Sequence, residues 1–237
     1  MFKAILFDLD GTLLDIDMDF FLQKYFGKME KMAISQVKHN SQRLIEQLLH
    51  STEVMISNLN PDTSNEEAFM QDFITNLEVD ELEIRTFFNE FYSSEFPRLS
   101  EYCCPFAGVP EMMAGVFERD LKVVIATNSV FPLRAIQSRL DWAGVGEFPY
   151  ELITSYETMH YCKPHPQYYQ EIVQRMGIDP AECLMVGNDT REDLAAGTLG
   201  IKTYLVEDRL IDLGNSPYRP DWKGSLRDLF QFIKQMK

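Results

Sequence analysis

The sequence is poor in the residues that build disulfide scaffolds and zinc sites. It has four cysteines in 237 residues, no two of which form a Cys-x-x-Cys pair, and no histidine cluster lies at zinc spacing. These absences argue against both kinds of site, and we expect four reduced thiols in a reducing compartment. The N-terminal segment reaches Asp8 too early for the apolar region of a signal peptide. We therefore expect a cytoplasmic protein.

Basic residues are scarce as well. The chain has 22 lysines and arginines against 37 aspartates and glutamates, which gives a formal charge of −15. Such a charge repels nucleic acid and anionic membranes, and no block of basic residues offsets it. There is also no run of 18 apolar residues, so we expect no transmembrane helix. Neither a nucleic acid nor a membrane is expected as a partner.

Glycine-rich nucleotide-binding motifs are absent too. No Gly-x-x-x-x-Gly-Lys-Ser/Thr segment occurs, so there is no P-loop. The pair Gly144 and Gly146 lacks the third glycine of the dinucleotide fingerprint and does not open a helix after a strand.

Short apolar segments are present and predict a sheet. Several are apolar at consecutive positions, which is typical of parallel strands that are buried on both faces. The predicted strands are Phe2–Phe7, Lys122–Ala126, Glu151–Thr154, Cys183–Val186 and Lys202–Val206. The predicted helices are Leu133–Trp142, Pro166–Met176, Asp189–Leu199 and Ser225–Met236. This alternation predicts a doubly wound parallel α/β sheet with a Rossmann-like core, which binds ligands at the carboxyl ends of its strands.

The first two predicted strands are separated by about 115 residues, whereas a crossover helix needs only about a dozen. The intervening segment has helical periodicity and no convincing strand between Asp15 and Ser100. We therefore predict a smaller α-helical cap domain at residues 15–100, inserted into an α/β core formed by residues 1–14 and 101–237.

The first predicted strand ends in a pair of carboxylates. Asp8 and Asp10 lie two residues apart, so strand geometry points them the same way, and Gly11 then allows a sharp turn. Two adjacent buried acids repel each other, and a divalent cation relieves that repulsion. Oxygen ligands of this kind suit Mg²⁺.

Three further polar motifs follow later strands. Thr127 and Asn128 come after the second strand and, with the next helix, resemble an anion site. Lys163 lies between the third strand and a proline-started helix, where its ammonium could reach a phosphate. Asp189 and Asp193 follow the fourth strand and would share one face of a helical turn. The four motifs should meet at one edge of the sheet.

In this order and spacing, the motifs resemble those of the haloacid dehalogenase superfamily of hydrolases over nearly the whole chain. The resemblance implies a Mg²⁺-dependent phosphatase acting on a small soluble phosphomonoester through an aspartyl-phosphate intermediate. Asp8 is then the nucleophile and Asp10 the general acid and base. Lys163 is a catalytic cation, Thr127 and Asn128 bind phosphate, and Asp193 has a supporting role. Mg²⁺ would be held by Asp8, Asp10 and Asp189.

The fourth motif leaves one assignment open. The family pattern places an acid directly after the glycine, where this chain has Asn188. Either Asp189 or Asn188 occupies the leading position, and we favour Asp189 because a carboxylate binds Mg²⁺ better than a neutral amide. A phosphomutase and a non-catalytic binding protein on the same scaffold are the alternative functions. We expect a monomer or a small homo-oligomer.

Overall fold

The computed structural model describes residues 1–36 and 41–236. Its centre is a six-stranded parallel sheet with the strand order β5-β4-β1-β6-β7-β8. The strands are β1 (Ala4–Phe7), β4 (Lys122–Ile125), β5 (Leu152–Ile153), β6 (Cys183–Gly187), β7 (Lys202–Val206) and β8 (Trp222–Gly224). The five predicted strands are all present within two residues of their predicted ends, which confirms the doubly wound parallel sheet.

Both faces of the sheet are covered, because the side chains of each strand alternate between two apolar clusters. On β1, Ile5 and Phe7 face one cluster, and Ala4 and Leu6 face the other. The helices of this part are α5 (Val109–Phe117), α6 (Leu133–Trp142), α7 (Pro166–Met176) and α8 (Leu226–Gln235). Helix α7 packs on the sheet face that carries Ala4 and Leu6. Helices α5, α6 and α8 pack on the opposite face, in the cluster of Ile5 and Phe7. This arrangement explains the fully apolar run of β1.

The long segment between β1 and β4 is mainly helical, as predicted. It contains α1 (Met18–Gln36), α2 (Ser41–Ser57), α3 (Asn65–Leu77) and α4 (Glu81–Glu90), followed by a π-helical turn (Phe91–Glu95) and a 3₁₀ helix (Phe96–Tyr102). Its division as a separate cap domain stays a proposal. Residues 37–40 of the predicted cap and Lys237 of the predicted core lie outside the described residues.

The prediction that the region from Asp15 to Ser100 has no strand was wrong at its start. Strand β2 (Leu14–Ile16) pairs antiparallel with β3 (Cys103–Pro105). A three-residue strand is too short for its alternation to be recognised, and its partner lies nearly 90 residues later. This ribbon brings the two ends of the helical segment together beside the sheet.

The predicted helix Asp189–Leu199 was also wrong. Residues 190–193 form turns, and only Leu194–Leu199 is helical, as a 3₁₀ helix. The Asp189 carboxylate accepts hydrogen bonds from the backbone N–H groups of Arg191 and Glu192, at 2.7 and 2.8 Å. Such side-chain-to-backbone bonds offer the chain an alternative to helical pairing.

No helix within residues 1–36 and 41–236 has the length and apolar character needed to span a bilayer.

Candidate active site

The centre of the candidate site is a buried group of two carboxylates and one ammonium. Asp8 directly follows β1, and its backbone N–H donates to Val186 of the neighbouring strand at 2.8 Å. The Lys163 ammonium donates to Asp8 Oδ1 at 2.9 Å and to Asp193 Oδ1 at 2.6 Å. Parallel pairing of β1 and β6 brings the first and fourth motifs together, and Lys163, from the segment after β5, contacts both, so three of the predicted motifs meet at the carboxyl edge of the sheet.

Burial controls the charge of this group. It raises the pKa of Asp8 and raises that of Asp193 to about 7, and the Lys163 ammonium opposes both shifts. For Lys163 itself, burial favours the neutral amine, but Asp193 and Asp8 together hold its pKa well above the ordinary value. The lysine thus stays charged and screens the two acids from each other.

Asp10 is held by a residue that the sequence analysis missed. Arg139, on α6, is 1% exposed, and its Nη1 donates to Asp10 Oδ2. Asp10 Oδ1 is buried and has no hydrogen-bond partner among the described residues. Burial raises the pKa of Asp10, and the Arg139 guanidinium opposes the shift. Asp10 therefore presents one anchored and one free oxygen.

Asn128, in the motif after β4, is hydrogen-bonded to residues of the third and fourth motifs. Asn128 Oδ1 accepts from the backbone N–H of Lys163 at 3.2 Å, and its Nδ2 donates to Glu192 Oε1 at 3.0 Å. Thr127 is buried, and its carbonyl accepts from the Tyr168 hydroxyl at 2.7 Å. Burial raises the pKa of Glu192, a second residue missed from the sequence, to about 8.

The Thr12 hydroxyl lies between Asn188 and Asp8 and contacts both. Thr12 Oγ1 lies 3.0 Å from Asn188 Oδ1 and 3.3 Å from Asp8 Oδ2. Asn188 Nδ2 donates to the carbonyl of Arg209 at 2.6 Å. Gly11 has a φ of +79°, and a Cβ there would overlap the Asn188 amide. The glycine of the first motif is thus required by its backbone conformation and by this close approach.

A second glycine makes room for Asp193. A Cβ on Gly187, the last residue of β6, would overlap the Asp193 carboxylate. Asp193 Oδ2 in turn accepts from the backbone N–H of Asp189 at 2.8 Å. This bond closes the turn that carries both acids of the fourth motif.

The charge balance of the site fits a divalent cation. The buried or largely buried acids Asp8, Asp10, Glu192 and Asp193 face two cations, Lys163 and Arg139. When all are ionised their formal charge is −2, and burial raises the pKa of all four acids. Within the described part of the chain, no three Asp, Glu, His or Cys side chains form a complete metal cage. Mg²⁺ does not need one, because it binds through one or two carboxylates, waters and substrate phosphate.

A cleft of about 950 Å³ opens above these groups, between the sheet edge and the helical segment. The predicted site residues Asp8, Asp10, Thr127, Asn128, Asp189 and Asp193 all line it. Lys163 lies behind Asp8 and Asp193, in contact with both. The structure therefore places all seven predicted residues at one site.

The sequence model of the haloacid dehalogenase-like hydrolases matches residues 2–199. The chain belongs to this family. It is a hydrolase, as its motifs predicted, with the Rossmann-like fold of the family.

Two curated relatives are phosphatases by name. The chain is 26% identical over 208 residues to the N-acetylmuramic acid 6-phosphate phosphatase of Pseudomonas aeruginosa, covering 86% of this chain and 81% of that protein. It is 24% identical over 237 residues to pyrophosphatase PpaX of Bacillus cereus, covering 99% and 97% of the two chains.

Solved structures share the fold. A phosphatase of the family from Thermococcus onnurineus superposes with a TM-score of 0.61 at 16% identity, covering 98% of this chain and 97% of that one. The L-2-haloacid dehalogenase of Xanthobacter autotrophicus superposes with a TM-score of 0.60 at 18% identity, and the match covers both chains completely.

Proposed function

We propose that this hydrolase is a Mg²⁺-dependent phosphatase that cleaves a small phosphomonoester through an aspartyl-phosphate on Asp8. The contact of the Lys163 ammonium with Asp8 Oδ1 is the observation that carries the proposal. A carboxylate held by a buried cation at the floor of a large cleft is oriented for attack and shielded from water.

In the first step, an Asp8 carboxylate oxygen forms a bond to phosphorus while the bond from phosphorus to the ester oxygen breaks. Asp10 gives its proton to the departing alkoxide. Its raised pKa suits this role, because burial favours the protonated acid. Oδ1 is the oxygen that would exchange the proton, since Arg139 occupies Oδ2.

In the second step, Asp10 takes a proton from a water molecule that attacks phosphorus. The bond from phosphorus to Asp8 breaks, and inorganic phosphate leaves. Lys163 balances the negative charge on the phosphoryl oxygens and on Asp8 throughout. Thr127 and Asn128 would bind the phosphoryl group, and Asp193 holds Lys163 in place through its 2.6 Å contact.

Magnesium, when bound, would supply Lewis-acid stabilisation of the phosphoryl oxygens. We assign its protein ligands as the Asp8 carboxylate, the Asp10 backbone carbonyl and Asp189. One Asp189 oxygen is engaged by backbone N–H groups, so its other oxygen would serve as the ligand. We further propose cytoplasmic location and a monomeric or small homo-oligomeric state.

The test is phosphate release with Mg²⁺ and then with EDTA, for the parent protein, Asp8→Asn and Asp19→Asn. Asp19 is an exposed acid that lines the same cleft, so its substitution makes the same chemical change away from the nucleophile. We expect Mg²⁺-dependent release that Asp8→Asn abolishes and Asp19→Asn preserves. Parent-level release by Asp8→Asn would refute the mechanism, and phosphoryl transfer within one sugar without net release would identify a phosphomutase.

A further inference from the structure

The walls of the cleft indicate what kind of leaving group it accepts. Above the catalytic carboxylates, the lining is dominated by apolar and aromatic side chains from α1–α4, the π-helical turn and the loops after β4 and β5. These are Leu22, Tyr25, Phe26, Leu48, Leu49, Phe69, Phe88, Tyr92, Val130, Phe131 and Tyr156. The cleft volume, about 950 Å³, is at the upper end of the range for pockets that hold drug-sized molecules. A phosphoryl group would occupy only a small part of it.

Two of the three tyrosine hydroxyls in this wall are paired with each other. The hydroxyls of Tyr25 and Tyr92 lie 2.8 Å apart and share a hydrogen bond. Burial raises the pKa of both tyrosines, so both remain neutral. Beside these two hydroxyls the wall is mostly ring and aliphatic surface, so a polyhydroxylated leaving group would lose hydrogen bonds to water on entering it.

Each cation that lines the described part of the cleft already pairs with an acid, while Arg139 Nη2 is buried and has no hydrogen-bond partner among the described residues. Among the described residues that line the cleft, two are basic, Arg139 and Arg209. Arg139 is paired with Asp10, and Arg209 Nε donates to Asp15 Oδ1 at 2.6 Å. The acids Asp17, Asp19, Glu207 and Asp208 also line the cleft. A carboxylate or a second phosphate on the substrate would therefore face four acids, against two arginines that are already paired with Asp10 and Asp15.

We propose that the substrate is a phosphomonoester with a large, uncharged, apolar or aromatic leaving group, and that the helical wall of the cleft selects for it. The proposal rests on the phosphatase function above and names the substrate class of that site. Sugar phosphates, pyrophosphate and phosphorylated carboxylic acids are then poor substrates.

The test compares kcat/KM for three esters of primary alcohols, which have similar chemistry at the ester oxygen. The esters are 2-phenylethyl phosphate, glycerol 3-phosphate and 2-phosphoglycolate. Acetyl phosphate is the reference, because its small, good leaving group needs little help from the wall. We expect 2-phenylethyl phosphate to exceed the other two esters by at least about 100-fold, since a hydrophobic pocket discriminates by about 10–200-fold per methylene.

Two lysine substitutions test the wall directly. Leu49 lines the cleft from α2 and is 47% exposed, so Leu49→Lys should fold. Leu82, on α4, is 75% exposed and is not among the described lining residues, which makes Leu82→Lys the matched control. We expect Leu49→Lys to lower kcat/KM for 2-phenylethyl phosphate about tenfold and to raise it for 2-phosphoglycolate, and Leu82→Lys to change neither.

The outcomes separate the two proposals. Hydrolysis of acetyl phosphate with equal or better turnover of the polar esters would overturn the substrate class and leave the phosphatase intact. Unchanged kcat/KM values in Leu49→Lys would also overturn it, because the wall would then not be selecting. No release from any compound, acetyl phosphate included, would overturn both.

Discussion

Replacing Arg139 by methionine should destabilise the protein by about 3 kcal/mol. The side chain is 1% exposed, pairs with Asp10, and lies over the Phe131 ring at 4.5 Å from its centroid. Removing one partner of a buried ion pair destabilises by about 3–5 kcal/mol, because the other charge is left unpaired. Asp10 can take up a proton, which limits the loss, so we place the effect at the lower end.

For a chain of this length, about 3 kcal/mol corresponds to a fall in Tm of roughly 6–12 °C. The measurement is urea and thermal unfolding in EDTA, with Arg134→Met as the control. Arg134 is exposed on the same helix, so its substitution should stay within about 0.5 kcal/mol. The double variant with Asp10→Asn should be more stable than the sum of the single effects predicts, by about 2 kcal/mol. Equal effects of Arg139→Met and Arg134→Met, or additive single effects, would refute the pairing argument.

Two further predictions concern the fourth motif and the first. Burial raises the pKa of Glu192 from 4.5 to about 8, so between these values the folded state holds a proton that the unfolded state has lost. Stability of the metal-free protein should therefore fall as pH rises from about 5 to 8, by up to about 1.4 kcal/mol per pH unit for this group. Glu192→Gln should reduce that slope in urea titrations at several pH values, and an unchanged slope would contradict the assignment. Gly11→Ala should lower the free energy of unfolding by about 1–3 kcal/mol because of its left-handed backbone and the Asn188 overlap. Gly27→Ala should be neutral or stabilising, because this position lies within α1 and, its own helix backbone aside, the new Cβ would meet no atom within 4 Å.

The central sheet could be predicted because its strands are apolar at consecutive positions and end in polar motifs. The helices Leu133–Trp142 and Pro166–Met176 were predicted with their observed bounds, since a proline directly precedes the first and is the first residue of the second. Strand β8 (Trp222–Gly224) was missed because it is a short edge strand with two exposed residues, so it carries no buried pattern.

Of the two missed site residues, only Arg139 had a readable signal. It lies three and four positions after Ile136 and Ala135, so it belongs to the buried stripe of α6. A charged residue on such a stripe requires a buried partner, and Asp10 is that partner. Glu192 lies between Arg191 and Asp193 in a run of charged residues, where nothing local distinguishes a buried acid from an exposed one. The assignment of the metal-binding role to Asp189 stays a prediction.

The position of β1 in the sheet has a consequence for biosynthesis. Phe7 pairs with Ile125 on one side and with Val186 on the other, 118 and 179 positions later in the chain. At about 5–20 residues per second, the ribosome needs roughly 6–24 s to make the first partner after Phe7 has been added. During that time the apolar strand that leads into Asp8, the proposed nucleophile, has neither of its native neighbours. Such long-range pairing slows folding and leaves unpaired strands open to aggregation, so the nascent chain should depend on chaperones until residue 187 has emerged.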